Sequence, residues 1–173
     1  MRSPEAPRSW YDLPIFTARD LKESVALSYR MIFDWQQRGA YVQQRRKRSW
    51  RRFTANQTAQ LAVIKCLTMA GVPIAELTPL IQWLNRDLTS VIEHSLRLAD
   101  SYLVTDLTEV FTLCGSSGLA AAVRKGFATT RGAPAKPKVH LHIVSLEVVA
   151  NALRTLAARS GYVLGRARAR REA

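Results

Sequence analysis

The residues with the clearest chemical capability form one run, Arg45-Arg46-Lys47-Arg48-Ser49-Trp50-Arg51-Arg52. Six of its eight side chains are cationic and one is aromatic. Packed so densely, these charges repel one another unless a polyanion neutralises them. A phosphate backbone does so and releases counterions, so the run is an electrostatic footprint for nucleic acid. A solvated basic loop or an acidic membrane contact would need the same charges. The helical segments on either side favour nucleic acid. The rest of the chain agrees in sign, with 26 Lys and Arg against 13 Asp and Glu, a formal net charge of +13.

Other chemistry is sparse. Cys66 and Cys114 stand far apart without a partner motif, which argues against a disulfide framework or a Cys-rich metal site. His94, His140 and His142 are scattered as well, and no metal or cofactor is expected. The carboxylates are dispersed. No Ser-His-Asp or Cys-His arrangement and no Gly-rich phosphate loop appears, so an enzyme is not expected and no catalytic residue is assigned. No apolar run is long enough to span a bilayer, and MRSPEAPRSW lacks a signal-peptide core. The expected location is the cytoplasm, on the nucleoid.

The elements that must position the basic run can be read from caps and periodicity. Residues 1–14 hold three prolines and read as a flexible arm, pinned near Trp10 and Tyr11. Thr17 with Asp20 three residues on can cap a helix to Val25. After a tight break at Ala26-Leu27, Ser28 can cap a second helix to about Arg38. Met31, Ile32 and Trp35 would lie inside it, and Gly39 would stop it. Two short helices so joined make a helix-turn-helix pattern. Tyr41-Val42 and Trp50–Phe53 read as two strands, and a tip so rich in Arg must project from them.

Further along, Thr54 and Gln57 give a second capping-box pattern ahead of an apolar helix that ends at Gly71. Two more helices are expected, about 74–84 and 87–100. The second carries Leu88, Val91, Ile92, Leu96 and Ala99. From Tyr102 the pattern becomes β-β-α-β-α. It comprises strands near 102–104 and 110–113, a helix near 119–125, a strand near 139–144 and a helix near 146–158. In the third strand Val139, Leu141 and Ile143 are expected on one face and His140 and His142 on the other. The tail 166–173 alternates Arg with small residues and is expected to order only on a partner. The division expected is thus an arm (1–14), a winged helix-turn-helix (15–85), a linking helix (86–100), a small α+β unit (101–160) and a basic tail (161–173). The fold class is mainly α with small β elements.

In such a unit the second helix enters the major groove with its first residues at the base edges. Here these are Ser28, Tyr29 and Arg30. Arg30 has the fork to pair with guanine, and Tyr29 can touch a phosphate or a thymine methyl. Arg45, Arg46, Lys47 and Arg48 would supply phosphate neutralisation. Arg51 and Arg52 alternate sides on the return strand, so one of them faces DNA more easily than the other.

Taken together, the stretch from about Phe16 to Leu84 resembles the MerR family of winged helix-turn-helix transcription regulators. The resemblance rests on Leu27-Ser28-Tyr29-Arg30 through Arg38-Gly39, on Trp50-Arg51-Arg52-Phe53-Thr54, and on Leu67 through Gly71-Val72-Pro73 to Leu77. It implies a homodimer on a palindromic or repeated site of double-stranded DNA. It implies Ser28, Tyr29 and Arg30 as recognition-helix contacts and Arg48, Trp50 and Arg51 as wing contacts. Two copies would then pair through Leu88, Val91, Ile92 and Leu96, or through the C-terminal unit, where an effector of unassigned chemistry could also act. The sequence departs from the family in three places. Ala26 or a neighbour replaces the usual turn Gly, the helix after the winged unit is shortened to about 87–100, and the Cys-rich loop is missing. No metal-responsive mechanism is therefore implied. The alternative function is an architectural or mobile-element accessory DNA-binding protein, whether excisionase-like, partition-like or nucleoid-associated.

Overall fold

The structure is a computed structural model and describes residues 10–40, 52–98, 100–131 and 140–160. The arm before Trp10, the strand Tyr41-Val42, the basic run up to Arg51, Val139 and the tail after Ser160 lie outside the described residues.

A turn of 3-10 helix at Trp10–Asp12 leads to strand β1 (Phe16–Thr17) and directly into helix α1 (Ala18–Val25). Thr17 Oγ1 accepts from the Asp20 backbone N–H at 3.3 Å, and the Asp20 carboxylate accepts from the Thr17 N–H at 2.7 Å. This reciprocal box satisfies two donors that the helix start would otherwise orphan. Helix α2 (Tyr29–Gln37) begins in the same way, with Ser28 Oγ accepting from the Met31 N–H at 3.2 Å.

The turn between these helices runs through Ala26 at φ 54°, ψ 43°, the left-handed region. A Cβ in that region crowds the following carbonyl, and glycine avoids the cost. Ala26→Gly is therefore expected to stabilise the fold by about 0.5–1 kcal/mol, partly offset by the freer unfolded chain. Thermal unfolding would show this as a rise of a few degrees in Tm, and an unchanged or lower Tm would contradict the strained turn. Gly39 (φ 73°) and Gly71 (φ 90°) occupy the same region after the second and third helices, as their positions in the sequence require.

Strand β2 (Arg52–Phe53) pairs antiparallel with β1, Phe16 opposite Phe53 and Thr17 opposite Arg52. The sequence marks Thr17 only as a helix cap. A two-residue strand is too short to show a period, and its partner lies 35 residues or more away. Helix α3 (Ala55–Met69) opens with the second capping box, Thr54 and Gln57 bonded reciprocally at 3.0 Å. It is apolar around much of its circumference, with Ala55, Ala59, Leu61, Ala62, Val63, Ile64 and Leu67 all buried. Such a helix belongs in the middle of a domain.

After a 3-10 turn at Ile74–Leu77, one helix of 20 residues, α4 (Thr78–Arg97), replaces the two expected. Leu84, Leu88, Val91 and Ile92 keep helical spacing across the supposed gap, so one stripe continues. Asn85 and Arg86, in the supposed gap, belong to the exposed face.

The C-terminal half follows the expected order. Strands β3 (Ser101–Thr105) and β4 (Phe111–Gly115) form a hairpin whose turn is held by Asp106. Its Oδ1 accepts from the N–H groups of Thr108, Glu109 and Val110, each at 2.9 Å. Helix α5 (Leu119–Arg131), strand β5 (His142–Ser145) and helix α6 (Glu147–Ser160) complete it. The antiparallel sheet has the order β4-β3-β5. Within β5 the face that carries Val144 packs inward. Val144 lies opposite Leu103 and is buried, while Ile143 is 50% exposed. Aliphatic residues occur at both odd and even positions here, so alternation could not fix the face, and pairing with β3 does.

One core runs through both halves. Leu21, Ile32, Leu61, Ile64, Leu84, Ile92 and Leu103 share it with Leu146, Val149, Leu153 and Leu156 of the C-terminal segment. The stripe expected to face a second copy is used here as well. Val91 and Ile92 are fully buried, Leu88 is buried, and Leu96 packs against the core. Trp83 and Phe111 stack with ring centroids 5.1 Å apart, joining α4 to β4.

An ionic contact also joins α6 to α1. Arg159 pairs with Glu23, and its Nη2 stands 3.5 Å from Asp20 Oδ1. Burial alone would raise the Asp20 pKa. The Thr17 donors, with Arg159 and Arg52 nearby, outweigh it and hold the carboxyl below its ordinary value. A carboxyl lowered on folding contributes stability above its unfolded pKa and loses it as pH falls through the folded pKa. Asp20→Asn should therefore lower stability at neutral pH and flatten the loss of stability on acidification below about pH 4. An acid limb identical to that of the parent would show that Asp20 contributes nothing to it.

Candidate nucleic-acid interface

Helix α2 carries the residues expected to read DNA, and its packing decides which side chains face outward. Ile32 and Trp35 are buried and Met31 packs partly against the core. That turns Tyr29, Arg30, Phe33, Asp34 and Gln37 outward. Tyr29 is 64% exposed and Phe33 48%. Ser28 is exposed, and its hydroxyl oxygen is engaged as the cap, which leaves its proton to donate. Arg30 is exposed beside Tyr29. Phe33 was not among the expected contacts, yet it stands three and four residues beyond Arg30 and Tyr29 on the same face. The inward spacing of Ile32 and Trp35 already contained that information. Asp34 and Arg38 form a solvent-exposed pair at 3.4 Å, of a kind that adds little.

Polar groups on α3 hold the chain just before and just after this helix. Lys65 Nζ donates to the Val25 carbonyl at 2.7 Å, where α1 ends and the turn begins. A cation at a helix C-terminus satisfies an orphan carbonyl and meets the negative end of the dipole. Gln60, 3% exposed, donates through Nε2 to the Ala40 carbonyl at 3.3 Å and to Asn85 Oδ1 at 3.2 Å. The exit from α2 is thereby tied to α3 and α4 together. The sequence pattern points to neither residue; the available signal is a polar side chain on the inward-packed part of α3, Gln60 buried and Lys65 half-buried.

The root of the basic segment is visible on one side. Arg52 is exposed, and its Nη1 donates to the Ile15 carbonyl at 3.0 Å. This places Arg52 at the β1–β2 junction. Arg45, Arg46, Lys47, Arg48, Trp50 and Arg51 lie outside the described residues. The chain leaves at Ala40, next to α2, and returns at Arg52, next to the start of α1.

The other candidate chemistry is not assembled. Among the described residues no three His, Cys, Asp or Glu side chains stand where they could share a metal ion. Cys66 and Cys114 are unpaired thiols, and burial pushes the pKa of each up, away from the reactive thiolate. No helix among the described residues is long and apolar enough to cross a membrane.

Residues 16–83 match the family model of the MerR HTH family regulatory proteins. The match begins at β1 and stops inside α4, so the sheet β4-β3-β5 with α5 and α6 lies beyond it. No curated protein and no solved structure matches the chain.

Proposed function

We propose that this chain, whose residues 16–83 carry a MerR-family helix-turn-helix, is a sequence-specific transcription regulator that binds double-stranded DNA as a homodimer in the cytoplasm. One observation supports this most: α2 turns Tyr29, Arg30 and Phe33 to its outer face, while Lys65 and Gln60 of α3 hold the chain just before and just after it. A helix so held is already organised for docking, and little side-chain packing must change on contact. Arg30 offers the bidentate fork for guanine, and Tyr29 and Phe33 offer apolar contact to thymine methyl groups. The run from Arg45 to Arg52 supplies phosphate neutralisation beside it, which gives affinity without sequence information.

Two copies on a repeated site would double the base pairs read. The apolar stripe of α4 is occupied within each chain, so pairing uses the polar face of α4 or the C-terminal unit.

Arg30→Ala tests the reading role. It is expected to cost on the order of 1–3 kcal/mol on a cognate site and much less on random DNA. Titration of both DNAs with parent and variant at one salt concentration gives the comparison. Equal losses on the two would make Arg30 a phosphate contact and remove the helix's role in specificity.

A further inference from the structure

A groove of about 520 Å³ lies where the two halves of the chain meet. Along one side runs β5, residues His142 to Ser145. Leu67 and Ala70 of α3 and Val148 of α6 form the apolar part of the wall, and Glu147 and Asn151 form its outer lip.

Three features of this groove are unfinished. Strand β5 is hydrogen-bonded to β3 on one edge, and among the described residues its other edge has no strand beside it. Such an edge is a template for a further strand. Ile143, half exposed, lines the groove. Glu147 has no cation partner among the described residues; its carboxylate accepts from the Asn151 amide at 3.5 Å.

From these features we infer that the C-terminal segment 161–173 of the same chain docks in this groove as an added strand on β5, with its arginines at Glu147. Chain length permits it. Asn151 is nine residues before Ser160 on α6, roughly 13 Å along the helix axis. Four extended residues, from Ser160 to Leu164, cover a similar distance of about 13 Å. A segment turning back along α6 thus brings Tyr162-Val163-Leu164 to the near end of the groove and the four arginines between Arg166 and Arg171 to its acidic lip. The composition suits both parts. Tyr, Val and Leu favour an added strand with apolar pockets beneath, and the arginines match the one carboxylate on the lip. The docking would hold the positive tail against the protein and join α3, β5 and α6 along one seam. This inference is independent of DNA binding.

Cys66 lines the groove and provides the probe. In the full chain, with Cys114→Ser removing the other thiol, single substitutions Tyr162→Cys, Leu164→Cys, Arg168→Cys and Glu172→Cys are each treated with a short bismaleimide. Peptide mass spectrometry then scores linkage to Cys66. The docked strand predicts linkage within one chain, with a yield that peaks at one or two positions. Adding Glu147→Lys at the best position is expected to lower the yield by about fivefold, the scale of an exposed ion pair. Far-UV circular dichroism confirms that each variant is folded. A flat profile along the tail, no linkage, or linkage only between two chains would each overturn the inference.

Discussion

Leu153→Asp is expected to abolish DNA binding although Leu153 is far in sequence from α2. Leu153 is fully buried, and its cluster includes Leu21 of α1, Ile32 of α2 and Leu61 of α3. Losing a buried leucine costs about 2–5 kcal/mol, and an unpaired carboxylate in the same place costs several more. The total approaches the whole stability of an ordinary domain, about 5–15 kcal/mol. The helix-turn-helix and the C-terminal unit should therefore melt together, in one transition. Thr155→Asp is the control. Thr155 is exposed two residues along the same helix, and the change is expected to shift stability by no more than about 0.5 kcal/mol. Leu153→Ala gives a graded version, still folded but weakened by about 2–5 kcal/mol. Circular dichroism melts, paired with DNA titration, read all three. A Leu153→Asp protein that kept a folded, DNA-binding N-terminal half would contradict the shared core.

The second large effect concerns the basic run. Replacing Arg45, Arg46, Lys47 and Arg48 together with alanine is expected to weaken binding to every DNA sequence. Each lost phosphate contact removes about 0.9 from the slope of log K against log salt, so the slope should flatten by up to about 3–4. Affinity at low salt falls most, while the ratio between cognate and random DNA changes little, because phosphate contacts carry no sequence information. Arg30→Ala should do the reverse, so the two variants separate positioning from readout. An unchanged salt slope in the fourfold variant would show that the run does not meet phosphate.

What the sequence made legible was local. Thr17 with Asp20, Ser28, and Thr54 with Gln57 mark helix starts because a side-chain oxygen at the right offset satisfies a backbone N–H whatever the rest of the chain does. Gly39 and Gly71 mark the stops, since the left-handed turn there suits glycine. The order of these signals also outlined the helix-turn-helix that the family match supports. What stayed hidden depends on distant partners. The β1–β2 pair is two residues long on each side, too little for a pattern. Leu88, Val91 and Ile92 form an apolar stripe that suits a second copy as well as the chain's own core, and only the fold shows the core using it. Val144 and Ile143 are both aliphatic, so the face of β5 was set by Leu103 and Val104 across the sheet. Of the interface, Tyr29 and Arg30 were legible from their place after the cap. Lys65 and Gln60, which hold the chain on either side of α2, were not, because they bond backbone carbonyls 40 and 20 residues away.

The central claim is that α2 reads sequence and the basic run supplies affinity. Selection of genomic fragments by the purified full chain at near-physiological salt, followed by footprinting of those enriched, tests it most directly. The account predicts a small set of fragments sharing a short inverted or direct repeat, protected over both half-sites. Uniform enrichment across unrelated fragments would contradict sequence-specific regulation and leave an architectural DNA-binding protein, and no enrichment at all would contradict DNA binding itself.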